Sequence, residues 1–524
     1  MKTLLLAATA LLCVFTSCAA APLHAPIVST TNGQVQGRIE DNVYAFLGMH
    51  YGANTGGANR FLPPQPVSPW KGVKPALKMA DRCPQPLLNH PGAVITFSDD
   101  PISEDCLDLN VWTPRLGHAK RAVMVWLHGG GFGFGSANDK YYDGKNLAKN
   151  GNVVVVSLNH RLNGFGYLDL GPEAGPAYAN SANLGQLDIV FALQWVRANI
   201  ARFGGDPTNV TVFGQSGGGG KVSTLLAMPK AQGLFQKAII ESGSDIHQQP
   251  PATALAQRDR VLAALNLTPA EVLKLRDLPM QTLMVAFTKA GLLGFRPFVD
   301  GTVLPSAPFS PDAPTTSAEV PLLLGTAHDE ATDVALADPN WQSMTEVELR
   351  SKIAPLVGPA NVDEAIALYR TREPTEPPFE LYASVLTDYM FTHNAQAMAS
   401  RKSAQPAPVF MYRTDWKTSV LGGILRAPHG VELPFVFDTV ALAPELVGTS
   451  PQPEMVDLFQ KTFVAFAKNG NPNVKGVPHW PAFDTQTRAT FIYDSTPSVV
   501  SNPDAALRQF WDKVTGDSTE PVKP

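Results

Sequence analysis

The sequence predicts an α/β fold, a large and mostly parallel central sheet with helices on both faces. Three observations predict it. Short runs such as VVVVSLN at 153–159 are apolar throughout, as strands buried on both faces are. They alternate with stretches whose apolar residues recur every three to five positions, the helical period. Several strand ends and helix ends carry glycine pairs, which mark abrupt changes of direction.

The elements follow in order. Residues 33–80 are rich in Gly, Pro and short apolar pieces, and read as short strands and turns, a small antiparallel edge. RAVMVWLHGG at 121–130 reads as a buried strand ending in glycines, and VVVVSLN as the next strand. LGQLDIVFALQWVRANIARFGG at 184–205 has helical spacing through Leu187, Phe191, Trp195 and Ile200, and stops at two glycines. VTVF at 210–213 is a strand, KVSTLLAMP a helix starting near Lys221, and FQKAIIESG a strand. Beyond residue 245 the alternation loosens. AQRDRVLAALNL, PAEVLKLRDLP, TEVELRSKIAPLV and VDEAIALYR read as helices, LLLGTAHDE at 322–330 and PVFMYRTDW at 408–416 as strands, and PEMVDLFQKTFVAFAKNG at 453–470 as a helix ended by Asn-Gly. No repeat and no long linker divides the chain. Residues 21–524 are therefore expected to form one catalytic-size domain with helical insertions around 245–320 and 335–450.

Composition sets outer bounds. Of 524 residues, 44% are hydrophobic and 17% charged, which supplies a sizeable core and argues against disorder. A net charge of −5 offers no basic surface, so no nucleic-acid partner is expected. Met1-Lys2 precedes the apolar run TLLLAATALLCVFTS and the small residues CAAAP. Residues 1–20 read as a secretory signal, with cleavage after Ala20 or Ala21; the run is short for a membrane span. Phe15-Thr-Ser-Cys18 also fits a weak lipoprotein signal, so a lipid anchor at Cys18 stays open. Both readings place the chain outside the cytoplasm, periplasmic or secreted, or held on the outer membrane. Of the four cysteines, Cys13 and Cys18 belong to this leader. Cys83 and Cys106 remain, as a single disulfide suited to export or as two buried thiols. No Cys/His spacing reads as a metal site, and no cofactor is expected.

Gly214-Gln-Ser-Gly-Gly218 matches G-x-S-x-G between a strand and a helix. In that setting Ser216 occupies a sharp turn with small neighbours and a helix N-terminus behind it. A flexible linker would be flanked by polar residues, not by Val-Thr-Val-Phe and a helix. A serine nucleophile needs a base and a place for the oxyanion. His128-Gly-Gly-Gly131 follows a strand, and glycines there let backbone N–H groups turn inward to join that of Gly217. His128 precedes those glycines, which suits a structural role. The acid and base are sought later in the chain. Glu330 ends a strand-and-loop piece, with Asp329 and Asp333 as competitors, and His429 lies in RAPHGVELPF, with His328 and His393 as competitors. The residues alone do not choose among them.

A wider set of motifs resembles the type-B carboxylesterase/lipase family, the cholinesterase-like branch of the α/β hydrolases. They are FLGMHY at 46–51, RFLPP at 60–64 with Trp70, SEDCLDLN at 103–110, FGGDP at 203–207 leading to GQSGG, KAIIESG at 237–243, FVDG at 298–301 and GNPN at 470–473. NHRL at 159–162 departs from the family's Tyr before Arg. The resemblance spans nearly the whole chain and implies the α/β-hydrolase fold and serine ester hydrolysis without metal or organic cofactor. It implies Ser216 as nucleophile, Glu330 as acid, His429 as base, the N–H groups of Gly130, Gly131 and Gly217 as oxyanion donors, and a Cys83–Cys106 disulfide. One departure stands at the nucleophile itself: many relatives place Glu before the serine, and here the residue is Gln215.

An amidase or thioesterase using the same triad, or a binding protein without catalysis, are the alternative readings. The expected partner is a small-molecule or lipid-like ester, with the chain a monomer or homodimer. Arg161, Arg296, Arg413 and Arg426 are candidates to meet an anionic acyl group, and Phe287, Phe295, Tyr382, Tyr389, Phe391 and Trp416 to line an apolar one.

Overall fold

The computed structural model describes residues 25–87 and 95–520. The leader, with Cys13 and Cys18, lies outside the described residues. Fourteen strands are present among them: β1 (Ile27–Ser29), β2 (Gln34–Gln36), β3 (Arg38–Glu40), β4 (Val43–His50), β5 (Val73–Pro75), β6 (Asp108–Thr113), β7 (Arg121–Leu127), β8 (Val154–Leu158), β9 (Gly205–Gln215), β10 (Lys237–Glu241), β11 (Leu322–Ala327), β12 (Val409–Thr414), β13 (Ala489–Tyr493) and β14 (Ser498–Ser501). β1, β2 and β5 form a small sheet. The other eleven form one sheet in the order β14-β13-β12-β11-β10-β9-β7-β8-β6-β4-β3. Pairing is parallel from β8 through β13 and antiparallel at both edges. This is the α/β-hydrolase architecture the sequence predicts.

The apolar runs are explained by burial on two faces. In β7, Val123, Val125 and Leu127 enter one apolar cluster, and Ala122, Met124 and Trp126 the other. The same alternation runs through β8, β10 and β11, as in Ile240 against Ile239. The first cluster is closed by helix Leu184–Asn199 and the second by helix Pro453–Asn469. Each fully buried Val, Leu or Ile contributes about 1.5–3 kcal/mol, so the central strands form the rigid part of the molecule.

Helices Pro251–Ala264 and Met280–Lys289 lie between β10 and β11, and four more, from Glu346 to Lys402, between β11 and β12. Three details differ from the sequence expectations. The helix expected near Lys221 starts at Gly217, directly after the turn. PAEVLKLRDLP forms a 3-10 helix, Pro269–Asp277, opened by a Thr268–Glu271 capping box. β13, β14 and helix Ala505–Thr515 close the far edge, where no element was expected.

Cys83 and Cys106 are joined, Sγ to Sγ at 2.01 Å. The bridge closes the segment that leads into β6. Gln85, just inside it, bonds both ways with Gly135, accepting from its N–H at 2.9 Å and donating to its carbonyl at 2.9 Å. The bridged loop is thus tied to the loop after β7. Closing a loop of this size is worth about 3 kcal/mol by chain entropy. Cys83→Ser/Cys106→Ser should lower the urea midpoint of unfolding by a matching amount; an unchanged midpoint would show that the bridge adds nothing to stability.

Candidate active site

The chain runs from β7 to β8 on one side, then crosses to β9 on the other. The carboxyl ends of β7 and β9 therefore open where strand order reverses, the usual place for a ligand in such sheets. Ser216 follows β9, the glycine loop follows β7, Glu330 follows β11 and His429 follows β12. Parallel pairing brings all four segments to one edge.

Ser216 has φ 58° and ψ −126°, a backbone region that costs about 1–3 kcal/mol for a residue with a side chain. Its N–H donates to Glu241 O at 2.8 Å, and its carbonyl accepts from Gly220 N at 3.0 Å, so strand and helix hold the strained turn from both sides. The glycines then have specific work. A Cβ at Gly217 would collide with Gly131, and one at Gly218 with the Leu127 carbonyl. A Cβ at Gly219 would press at 2.8 Å on Gly243 Cα. The first helical turn touches backbone on both neighbouring strands' loops.

Gly130 and Gly131 both have positive φ, 83° and 58°. Among the described residues their N–H groups donate to nothing in the protein. Gly217 opens the helix, where an N–H has no intrahelical acceptor. All three line the same cleft as Ser216 and His429, a cavity of about 1420 Å³.

His429 Nδ1 lies 2.5 Å from Glu330 Oε2, and Glu330 Oε1 accepts from Ala327 N at 2.8 Å. Glu330 is fully buried. Desolvation pulls the imidazole's proton affinity down, but the charge and hydrogen bond of Glu330, with Asp333 and Glu432 nearby, outweigh it and raise His429 to about 8. His429 Nε2 faces the Gln215 amide nitrogen at 3.1 Å. With Nδ1–H donated to Glu330, Nε2 is the acceptor and Gln215 the donor. Among the described residues Ser216 Oγ has no hydrogen-bond partner.

The competitors are accounted for by other contacts. Asp329 exchanges two hydrogen bonds with Ala427, its N–H donating at 3.0 Å and its carboxylate accepting at 3.2 Å, and so staples the acid loop to the base loop. His328 pairs with Asp329 at 3.1 Å. His393 meets Thr515 Oγ1 at 2.9 Å and the Asp517 carbonyl at 3.1 Å, far along the chain from the turn. His128 is buried and stacked on His160, with ring centroids 4.8 Å apart and planes within 6°. His160 is the other member of this stack. Asp333 does line the cleft, but burial raises its carboxyl, and it makes no hydrogen bond to the imidazole.

Of the four candidate arginines only Arg296 lines the cleft, and Asp245 pairs with it. Arg161 forms a buried two-point pair with Asp188, Arg413 pairs with Asp415 and Asp504, and Arg426 with Glu376 and Glu380. Of the aromatic candidates only Phe391 reaches the site, 4.8 Å from the His429 ring. Phe287, Phe295 and Trp416 are core residues. Phe97, Phe132, Phe134 and Trp341 line the cleft instead. They come from loops whose facing the sequence does not encode.

Three further groups escaped the sequence reading. Glu432 and Glu241 are fully buried; burial raises both carboxyls, with the charge of Glu330 adding to Glu432 and that of Glu432 to Glu241. Lys221 is fully buried in the helix after the serine. For Lys221 a signal existed: one charge in the otherwise small and apolar GGGGKVSTLLAM.

Comparison with known proteins covers the same extent as this geometry. The carboxylesterase family model matches residues 24–511. A para-nitrobenzyl esterase of Bacillus subtilis is 36% identical over 500 residues, 92% of this chain and 98% of that protein. The crystal structure of a Geobacillus stearothermophilus carboxylesterase superposes with a TM-score of 0.83 at 36% identity, covering 93% of this chain and 99% of the other. An esterase of Clostridium hathewayi described as hydrolysing aliphatic aromatic polyesters gives 0.79 at 33% identity, covering 94% and 98%. Every strand of the sheet falls inside the matched span, and the chain belongs to the carboxylesterase family as a serine hydrolase of the carboxylesterase type.

Proposed function

We propose that Ser216, His429 and Glu330 carry out ester hydrolysis through an acyl-serine intermediate. The observation that carries this is the His429–Glu330 contact at the edge where the strained serine turn and two unpaired loop N–H groups meet. His429 takes the Ser216 proton at Nε2 as Oγ attacks the ester carbonyl, and Glu330 fixes the tautomer and favours the imidazolium. The N–H groups of Gly130, Gly131 and Gly217 receive the tetrahedral oxygen, each worth about 3 kcal/mol by the usual size of such donors. The alcohol leaves with the proton from His429, and water activated by His429 releases the acid. Ester is the favoured bond, since the Bacillus subtilis and Geobacillus stearothermophilus relatives that match over their whole length are an esterase and a carboxylesterase.

The cleft supports an uncharged acyl group, aromatic or aliphatic. Its wall is mostly apolar, and Arg296, the one arginine lining it among the described residues, is paired with Asp245. A polycarboxylic acyl group would find little free positive charge there. Export is supported by the leader and by the disulfide, which persists in oxidising compartments. Mass spectrometry of the protein purified from its source cells would show the cleaved N-terminus, and whether Cys18 carries lipid.

Ser216→Ala should lower kcat for p-nitrophenyl butyrate by about 10⁴-fold or more, with the fold intact by circular dichroism. Substantial remaining activity would remove Ser216 from the mechanism. The base must be neutral to act, so a raised imidazole moves the rising limb of kcat/KM upward, to an inflection near pH 8. Glu330→Gln removes the charge that raises it. The residual activity should then inflect at lower pH, with kcat reduced by about 10³- to 10⁴-fold. An inflection that stays near 8 in this variant would assign it to another group. Across an acyl series at fixed alcohol, neutral aromatic and aliphatic esters should exceed dicarboxylic half-esters in kcat/KM by at least about tenfold, the effect of one unfavourable charge interaction of about 1.4 kcal/mol.

A further inference from the structure

Lys221 occupies the fifth position of the helix that begins directly after Ser216, and its side chain is fully buried. Nζ donates to His128 O at 2.9 Å and to Gly131 O at 2.8 Å, and lies 5.5 Å from the centre of the Phe132 ring. No carboxylate pairs with it among the described residues. A buried ammonium without a counter-charge is costly, and chains avoid it unless something offsets the cost. The two imidazoles nearby add no charge: burial, then the field of Lys221, holds His128 and His160 well below the ordinary histidine range.

The two carbonyls that Lys221 grips flank Gly129, Gly130 and Gly131, whose N–H groups at 130 and 131 are unpaired. The same helix touches Gly131 through Gly217. One side chain thus fastens both ends of the glycine loop to the element that presents the serine. We propose that Lys221 is a positioning residue for the oxyanion loop, its Nζ holding both ends of the loop in register with Ser216. This inference rests on the assignment of Gly130, Gly131 and Gly217 as oxyanion donors. Its physical content is geometric: a loop that is out of register loses hydrogen bonds made only in the transition state, so the effect falls on kcat. Burial pushes the ammonium down to about 7, and the amine donates to both carbonyls whether or not it carries the extra proton.

The test compares wild type with Lys221→Met and Lys221→Gln, each checked for folding by thermal melting. Kinetics with p-nitrophenyl butyrate are paired with inhibition by an alkyl trifluoromethyl ketone, which adds to serine as a tetrahedral anion, and by the matching methyl ketone, which binds uncharged. In Lys221→Met, kcat should fall by about 10²-fold, the scale of one lost oxyanion interaction, with KM within about threefold. The inhibition constant of the trifluoromethyl ketone should rise by the same factor, and that of the methyl ketone should not change. Lys221→Gln keeps a donor without a charge; should the methionine variant fail to fold, it carries the same split between the two ketones. A preserved kcat, or equal weakening of both ketones, would overturn the role of Lys221 while leaving the triad untouched. Activity persisting in Ser216→Ala would overturn both.

Discussion

The site depends on a contact between two pieces of backbone. The first turn of helix Gly217–Leu226 lies against the loop that leaves β7, so near that a Cβ at Gly217 or Gly218 would meet its carbonyls. That approach lets N–H groups from two separate segments converge beside one serine oxygen. It also costs stability. Four consecutive glycines open a helix, each about 1 kcal/mol worse than alanine, and Ser216 adds a strained backbone. The turn keeps its shape because β7 and β9 are paired over most of their length and buried on both faces. A local sequence that favours a loose coil is thus held by the stiffest part of the sheet.

Charge is laid out along the same line. On the imidazole side, Glu330, Glu432 and Glu241 are buried together. On the far side of the serine, behind the glycine loop, stands the unpaired Lys221. Ester hydrolysis sends a proton from serine to histidine and negative charge to the carbonyl oxygen. The proton goes toward Glu330, and the negative charge toward the loop whose ends Lys221 holds. Groups already held in place need no reorganisation when the reaction occurs, which makes them more effective than water would be. The raised His429 is the visible consequence.

The sheet was legible in the sequence where burial is complete. The buried stretches of β7, β8, β9 and β10, such as AVMVWL, VVV, VTVF and AII, are almost wholly apolar because both faces are covered, and they can be read without tertiary information. β14 was not, being a four-residue, largely exposed edge strand, and β13 went unread with it although it is fully buried. Ser216 was legible because the turn's demands are local: small residues between a strand and a helix. Glu330 and His429 were not separable from Asp329, Asp333, His328 and His393 by such reasoning, because their meeting depends on the parallel pairing of β11 with β12 across 99 residues. The resemblance to known esterases supplied what local chemistry could not. The lining of the cleft was least legible. Arg161 and Arg426 carry the same side chain as Arg296, and only long-range packing decides that the first two are tied to carboxylates away from the cleft.

Gln215 follows from the same charge layout. Its side chain is buried and its amide nitrogen lies 3.1 Å from His429 Nε2, the atom that takes the Ser216 proton, so this contact gives way when the serine engages the ring. A carboxylate at this position would place another negative charge beside an imidazole that already faces Glu330 and feels Glu432 and Asp333. Glu432 and Glu241 show how crowded that side is, since neither carboxyl keeps its ordinary acidity. One more buried carboxylate would have to take up a proton or raise its neighbours further. A neutral amide supplies the hydrogen bond without that cost. It also leaves the cleft without a fixed negative charge beside the serine, which removes an attraction that cationic esters would otherwise find there.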